Sequence, residues 1–335
     1  MKIHEKYMRR CIELAKNGLG TTYPNPLVGS VIVFEDKIIG EGWHQKSGMP
    51  HAEVNAVNSI KDKSLLKKAT IYVNLEPCSH HGKTPPCCDL IIENQIPNVV
   101  IGTMDPNIKV AGQGIKNLIE AGKNVTVGIL ETECNELNKR FFTFHQKKRP
   151  YIVLKWAQSQ DGFIAPQNKP SQKPVWLTNE FSRQLVHKWR SEEQAILVGT
   201  QTIIDDNPSL NVRDWSGNNP IRIVFDQKNR ISKESHIFDS LAKTIVLSND
   251  RIDFNRDVAK QTSDFLFHNN IQSVIIEGGR QTLQTFIDVG LWNEARVFKG
   301  GIYLGGGTKA PSLQSKYAER KCILDDELLI FRNYD

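Results

Sequence analysis

The chain contains no run of about 18 apolar residues, so nothing in it reads as a membrane span. Its first residues, MKIHEKYMRRCIELAKNG, are charged throughout and lack the apolar stretch of a signal peptide. Long basic runs are missing too. The densest, Lys147-Lys148-Arg149, is too short to make a nucleic-acid-binding tail. There is no fixed-period repeat and no low-complexity segment. The dinucleotide fingerprint G-x-G-x-x-G is absent: Gly112-Gln113-Gly114 begins like one but lacks the third glycine. Gly305-Gly306-Gly307-Thr308 is not a P-loop, because no Lys-Ser/Thr closes it. These absences set the expectation of a cytoplasmic protein acting on small molecules, without membrane or nucleic-acid partners.

What is present suits a globular protein of about two domains. The chain has 335 residues, 39% apolar and 24% charged, enough to build a core. Its 43 basic and 37 acidic side chains leave +6, a balance that suits anionic small molecules. The six cysteines are Cys11, Cys78, Cys87, Cys88, Cys134 and Cys322. In a reducing compartment they are core residues, metal ligands or catalytic groups rather than a disulfide framework.

Helical and strand signals alternate through the first third. Tyr7, Cys11, Leu14 and Ala15 keep helical spacing, stopped by Gly18. VGSVIVF and KIIG, joined at Glu35-Asp36, predict a hairpin. A helix is expected from about His51 to 60, a buried strand over 69–75, a helix over 88–95 and a strand over 98–103, with one more helix and strand after that. This alternation predicts an α/β layer domain with a mostly parallel sheet. The aromatic-to-basic stretch Phe141–Pro150 marks a boundary near 145, giving domains 1–145 and 146–335. The second domain repeats the alternation and is read as α/β, with a strand pair at its C-terminus.

The most informative cluster is His51-Ala52-Glu53 followed by Pro77-Cys78 and Cys87. One imidazole and two thiolates supply three zinc ligands and leave the fourth tetrahedral position open for water, as a catalytic site requires. Cys78 follows a strand and Cys87 opens a helix, where thiolate is favoured. Glu53, two residues beyond His51, points away from the ligand direction and suits a proton shuttle. H-x-E…P-C-x-x-C is the zinc nucleobase deaminase signature. Here eight residues, not two, separate the thiols. Cys88 opens the apolar run after Cys87 and is assigned to packing. His80 and His81 are rival ligands or substrate contacts.

Thr22-Tyr-Pro-Asn25-Pro-Leu-Val-Gly29, His51-Ala-Glu53 and Pro77-Cys78-Ser-His80-His-Gly-Lys83-Thr-Pro-Pro-Cys87 resemble the N-terminal half of the bifunctional riboflavin-biosynthesis deaminase/reductase family, in which the long insert between the thiols is typical. The resemblance implies a cytidine-deaminase-like three-layer αβα domain. It implies zinc-dependent hydrolytic deamination of a phosphoribosylated diaminopyrimidine, with Zn2+ on His51, Cys78 and Cys87 and Glu53 as the acid/base. Asn25, His80 and Lys83 would contact substrate, with Asp105 of Met104-Asp-Pro-Asn107 as a further candidate.

The resemblance continues through Leu154-Lys-Trp-Ala157-Gln-Ser-Gln-Asp161-Gly162, Trp176-Leu-Thr178, Trp189-Arg190, Val198-Gly199-Thr200-Gln-Thr202, Asp206-Asn-Pro208-Ser-Leu210-Asn-Val-Arg213 and Glu277-Gly278-Gly279. It implies a dihydrofolate-reductase-like α/β domain that uses NADPH to convert the ribosyl group to ribityl. Ala157, Trp176, Thr202, Asp206 and the segment from Gly279 would touch the cofactor. Arg190, Leu210, Arg213 and Glu277 would touch the substrate, the two arginines matching a phosphate ester with forked donors. Two positions depart from the family pattern. Pro174 stands where a Ser is usual, which leaves Ser171 to offer a hydroxyl, and Gly300-Gly301 replace a usual Ala-Pro. Glu277-Gly278-Gly279 and Gly305–Gly307 are candidate dinucleotide turns, with plain strand-ending turns as the other reading. A homodimer is expected. Two rivals stay open: a base deaminase with an appended domain, and a non-catalytic protein with a structural zinc.

Overall fold

The structure, a computed structural model, describes residues 2–79, 85–106, 111–169 and 171–333. The chain divides into two units, Met1–Lys147 and Lys148–Asp335. The expected boundary at 145 falls inside a helix that continues to Lys147. Among the described residues no helix is long and apolar enough to cross a membrane.

The first unit runs α1 (Lys2–Lys16), β1 (Gly29–Phe34), β2 (Lys37–Trp43), α2 (Ala52–Asn58), β3 (Thr70–Leu75), α3 (Cys87–Glu93), β4 (Asn98–Thr103), α4 (Gln113–Glu120), β5 (Asn124–Val127), α5 (Glu131–Leu137) and α6 (Lys139–Lys147). Its sheet has the order β2-β1-β3-β4-β5. The β1–β2 and β1–β3 pairs are antiparallel, while β3–β4 and β4–β5 are parallel. The sheet is therefore half antiparallel, which corrects the mostly parallel expectation. The cause is the hairpin: Glu35 and Asp36 both take positive φ, as two-residue hairpin turns favour, and reverse β1 directly into β2.

Alternation within these strands builds three layers. Val31, Val33, Tyr72 and Val100 face Cys11 and Leu14 of α1 and Cys134 of α5. Ile32, Ile71, Val73, Val99 and Ile101 face Ala56 of α2, Ile91 of α3 and Leu118 of α4. Residues of one strand point to opposite faces, so a strand covered on both sides reads as a continuous apolar run. At Gly29 the helix comes close enough that a Cβ would lie 2.1 Å from the Cys11 carbonyl oxygen, so only glycine fits.

The second unit runs β6 (Tyr151–Gln158), β7 (Phe163–Pro166), α7 (Glu180–Glu192), β8 (Ala195–Gly199), α8 (Thr200–Asp206), β9 (Ile221–Phe225), β10 (Thr244–Leu247), α9 (Val258–His268), β11 (Ser273–Gly278), α10 (Arg280–Asp288), β12 (Glu294–Lys299), β13 (Gly307–Lys309), β14 (Glu319–Ile323) and β15 (Asp326–Arg332). Eight strands form the order β10-β9-β8-β11-β6-β12-β15-β14, and β13 pairs with β7. The first six are mutually parallel; β15 and β14 add antiparallel at one edge. The expected C-terminal strand pair is this β14–β15 hairpin.

Leu283 and Phe286 of α10, with Ala259 and Leu266 of α9, cover one face of the large sheet. Val186 and Trp189 of α7 and Ile203 of α8 cover the other. The carboxyl ends of β6, β11, β8 and β9 therefore open at one rim, where ligands bind in open α/β sheets.

Candidate active sites

In the first unit, His51 caps α2, Cys78 lies three residues past β3, and Cys87 opens α3. His51 Nδ1 is 3.5 Å from Cys78 Sγ and 3.3 Å from Cys87 Sγ. One ligand atom from each residue falls within 4.8 Å of the others, and this is the one such His/Cys/Asp/Glu group among the described residues. Tetrahedral zinc with bonds of about 2.0–2.3 Å needs ligand atoms about 3.5 Å apart, so the donor set and its spacing fit zinc. Cys87 hydrogen-bonds to Cys78 and, with His51, holds the Cys78 thiol down at about 4, while the same bond and burial push Cys87 up. His51 is raised by its bond to Cys78.

Glu53 is 3% exposed and lies beside this cluster. Burial, reinforced by the Cys78 thiolate, pushes its carboxyl up to about 7. A carboxyl poised there can take and return a proton near neutral pH. Cys88 is buried, and its Sγ points to the Pro77 and Gly114 carbonyl oxygens, in keeping with packing.

Asn25 donates through Nδ2 to His44 Nε2 at 3.0 Å, and His44 Nδ1 donates to the Pro50 carbonyl at 3.1 Å. The His44 ring lies 5.3 Å from that of His51, centroid to centroid. Burial holds His44 below its ordinary range, which favours the neutral ring that accepts from Asn25. Two buried asparagines clamp the next turn. Asn138 Oδ1 accepts from Leu27 N and Asn74 Oδ1 from Gly29 N, and both side-chain amides donate to the Leu27 carbonyl. Glu76 accepts backbone N–H bonds from Asp105, Gly112, Gly114 and Ile115, which ties that loop to the Cys78 strand end. Sequence reasoning missed His44, Asn74, Glu76 and Asn138. Only Glu76, in contact with Pro77-Cys78 in the chain, carried a local signal. His80, Lys83 and Asn107 lie outside the described residues.

In the second unit a cleft of about 1210 Å3 opens at the sheet rim. It exceeds the ~300–1,000 Å3 usual for one small ligand, so it has room for two side by side. Ala157, Trp176, Arg190, Thr202, Asp206, Arg213, Glu277 and Gly279 all line it. Leu210 does not. It is 2% exposed in the core beneath, and its left-handed backbone turns the chain toward Arg213. Pro174 lines the cleft, whereas Ser171 does not, so Ser171 does not replace the missing hydroxyl. Gly305–Gly307 are also outside the lining; they lead into β13, which pairs with β7. Of the two candidate turns, only Gly278-Gly279 lines the cleft, and Gly278 has a φ of 131° open only to glycine.

Arg190 grips Glu277 through two bonds of 2.7 Å, and Lys155 Nζ stands 3.7 Å from the same carboxylate. Burial would raise Glu277, but Arg190 and Lys155 outweigh it and hold it at about 2. Burial lowers Lys155. His187, with Nε2 3.2 Å from Asp214, is held at about 4 by burial and then by Arg190 and Arg213. Asp206 is bonded to Lys169, and the Arg183 guanidinium sits 4.8 Å over the ring of Trp176, which is 52% exposed. Sequence reasoning passed over Lys155, although a lysine between Leu154 and Trp156 in a buried strand is itself a signal.

Residues 1–103 match the cytidine and deoxycytidylate deaminase zinc-binding region, and residues 150–326 match the RibD C-terminal domain. The riboflavin biosynthesis protein RibD of Aquifex aeolicus is 38% identical, over 98% of both chains. RibD of Escherichia coli is 42% identical over 72% of this chain and 68% of its own. A Thermotoga maritima structure, described as a diaminohydroxyphosphoribosylaminopyrimidine deaminase/5-amino-6-(5-phosphoribosylamino)uracil reductase, superposes with a TM-score of 0.89 at 36% identity, covering 99% of each chain. Acinetobacter baumannii RibD superposes at 0.87 with 31% identity, covering 100% of this chain and 99% of its own. Fold and sites define a bifunctional enzyme, a zinc-binding deaminase half and a reductase half on one chain. The chain belongs to the RibD family of riboflavin-biosynthesis proteins.

Proposed function

We propose that the first unit hydrolytically deaminates 2,5-diamino-6-(5-phosphoribosylamino)pyrimidin-4-one, and that the second reduces the resulting 5-amino-6-(5-phosphoribosylamino)uracil to its ribityl form with NADPH. The observation that carries the reading is buried Glu53 beside a three-ligand cluster, on the same chain as a two-ligand cleft.

His51, Cys78 and Cys87 would hold the zinc, which when bound would supply the Lewis acidity that makes water a nucleophile near neutral pH. Glu53 takes a proton from the attacking water on a carboxylate oxygen and passes it to the departing ammonia. The ring amine leaves as ammonia and the ring carbon gains the oxygen. Asn25, held by His44, reads the heterocycle edge. On family resemblance, His80 and Lys83 complete the substrate contacts. A structural zinc site would close with a fourth protein ligand, and no fourth donor joins the cluster among the described residues.

In the second unit the cleft would hold NADPH, which when bound would supply the hydride for the ribose C1 carbon, the balancing proton coming from solvent. Ala157, Trp176, Thr202, Asp206 and Gly279 hold the cofactor side of the cleft. Glu277 fixes Arg190, and Arg213 reaches the substrate phosphate. Lining by Pro174 removes one hydroxyl contact from this surface. We place the enzyme in the cytoplasm, consistent with its unpaired cysteines. We assign a homodimer, supported by exposed Tyr317 and Leu324 flanking the edge strand β14 and testable by light scattering.

The decisive experiment gives purified protein the phosphoribosylated diaminopyrimidine with and without NADPH. Expected are about one zinc per chain, ammonia without NADPH, and NADPH oxidation only after deamination. Zinc without ammonia overturns the deaminase assignment.

A further inference from the structure

Arg213 sits on a segment with no regular structure: residues 207–219, between α8 and β9, form neither helix nor strand. An arginine on such a segment serves an anion well only if its backbone is held, because every torsion fixed on binding costs entropy. Several contacts do hold it. Leu210 is buried beneath the cleft. Val212 N donates to Asn219 Oδ1 at 2.8 Å, which closes the segment on itself. Two further bonds come from α7. Arg190 Nη1 donates to the Asn211 carbonyl at 3.3 Å, and the Arg213 backbone N–H donates to His187 Nδ1 at 3.4 Å. His187 and Arg190 are three residues apart and so share one face of the helix. The Arg213 side chain is held more loosely. It is 47% exposed, with Nη1 3.5 Å from Asn211 Oδ1 and Nε 3.9 Å from Asp214.

The partners of His187 decide which ring nitrogen carries the proton. Its side chain is 4% exposed and lines the cleft, and burial, then Arg190 and Arg213, keep it neutral at pH 7. A neutral imidazole has one N–H. Asp214 Oδ2 stands 3.2 Å from Nε2 and can only accept, so the proton is on Nε2. Nδ1 is left to accept from the Arg213 backbone. The Asn211 carbonyl, 3.1 Å from Nδ1, takes its hydrogen from Arg190 instead. The Nε2 bond has a second effect. It engages the Asp214 carboxylate, which would otherwise compete with a phosphate for the Arg213 guanidinium.

Resting on the reading that Arg213 meets the substrate phosphate, we propose that His187 is a positioning residue for the reductase step. It holds residues 211–214 so that Arg213 enters the cleft with its charge free for the phosphate. The test is steady-state reduction of the deaminated phosphoribosyl substrate by the full chain, with kcat and the KM of each ligand read separately and thermal melting alongside. His187→Ala is expected to raise the KM of the phosphoribosyl substrate roughly tenfold, the effect of losing one hydrogen bond, while kcat and the KM of NADPH stay within about twofold. His187→Asn sets an acceptor where Nδ1 stands and restores most of the affinity. His187→Gln, whose amide reaches the Nε2 position instead, does not. Added to Arg213→Ala, His187→Ala brings no further loss, because a residue that acts through Arg213 has nothing left to position.

An unchanged substrate KM with a lower melting temperature makes His187 a packing residue and overturns the proposal. A fall in kcat alone, or losses that add in the double variant, overturns it in favour of an action independent of Arg213. Should His187→Ala fail to fold, the Asn and Gln variants decide: equal KM values overturn the proposal. A substrate KM left unchanged by Arg213→Ala overturns the phosphate reading and the proposal together, whereas a KM raised by Arg213→Ala but not by the His187 variants overturns the proposal alone.

Discussion

The two sites of this chain are built in opposite ways. The candidate deaminase centre draws its three potential metal ligands and Glu53 from two short stretches, 51–53 and 78–87, each at the end of a regular element. The reductase cleft draws on the ends of four strands and the segments after them, from Lys155 to Arg280. A metal demands particular donor atoms at fixed separations, so its ligands come from a small set of residue types and leave a compact signature. A cleft for two organic ligands demands shape and charge balance, which many residue combinations supply, so its signature is diffuse. In the first site most function rests on single atoms. In the second it rests on networks.

Substitutions sharpen that contrast. Glu53→Gln is expected to give the largest effect: ammonia release falls about 10²–10⁴-fold, the range for losing a general acid/base. Zinc content and reduction of supplied deaminated substrate stay unchanged. Near-normal ammonia release by this variant would remove Glu53 from the mechanism.

Glu277→Gln strikes the network instead. It leaves Arg190 and Lys155 buried without their anion, a change that costs about 3–5 kcal/mol in comparable pairs. Thermal melting should report it as a large drop for the second unit. The pH dependence has a definite sign. Glu277 is held at about 2, below the ordinary carboxylate value of 4.5. Its contribution to stability is complete above pH ~4.5 and is lost as pH falls toward 2. Melting curves between pH 6 and 3 should therefore show an acid-side loss in wild type that is shallower in Glu277→Gln; equal slopes would show that this carboxylate is not the group titrating.

Arg213→Ala should impair NADPH oxidation by about 10- to 100-fold, the cost of one charged contact, while sparing ammonia release. Loss of deamination in that variant would break the division between the two sites. The smallest effect is expected from Asn138→Ala, which leaves Leu27 N without its acceptor while Asn74 still donates to the Leu27 carbonyl. The deaminase KM should rise roughly three- to tenfold as the Asn25 turn loosens, with zinc content constant. A changed zinc content would place Asn138 in support of the metal cluster rather than of the turn.

Much of the fold was legible because buried strands are apolar runs and hairpins need turn residues. The runs at 69–75 and 98–103 became β3 and β4, and Glu35-Asp36 became the turn. Sequence reading missed α8 and β12 as separate elements, since short elements carry too few residues for a clear period, and it also missed the 11-residue α9. It also overstated the parallel character of the first sheet, because strand direction follows from the connections rather than from composition. The candidate metal triad was legible as residue types, and the structure brings its three ligand atoms within 4.8 Å of one another. The clamp on Leu27 was not: Asn138 lies 111 residues away in the chain and leaves no local pattern.

By itself the sequence determined which chemistries were available: thiolates and an imidazole for a metal, a carboxyl two residues on, forked cations for phosphate. Tertiary structure alone decided what those groups became. It buried Glu53 and so lifted its carboxyl toward neutrality. It joined Arg190 to Glu277 across 87 positions and consumed both charges in one pair. It withdrew Leu210 into the core. The physical reason is that a side chain's charge and reactivity depend on its solvent exposure and its neighbours, and both are set by contacts between residues far apart in the chain.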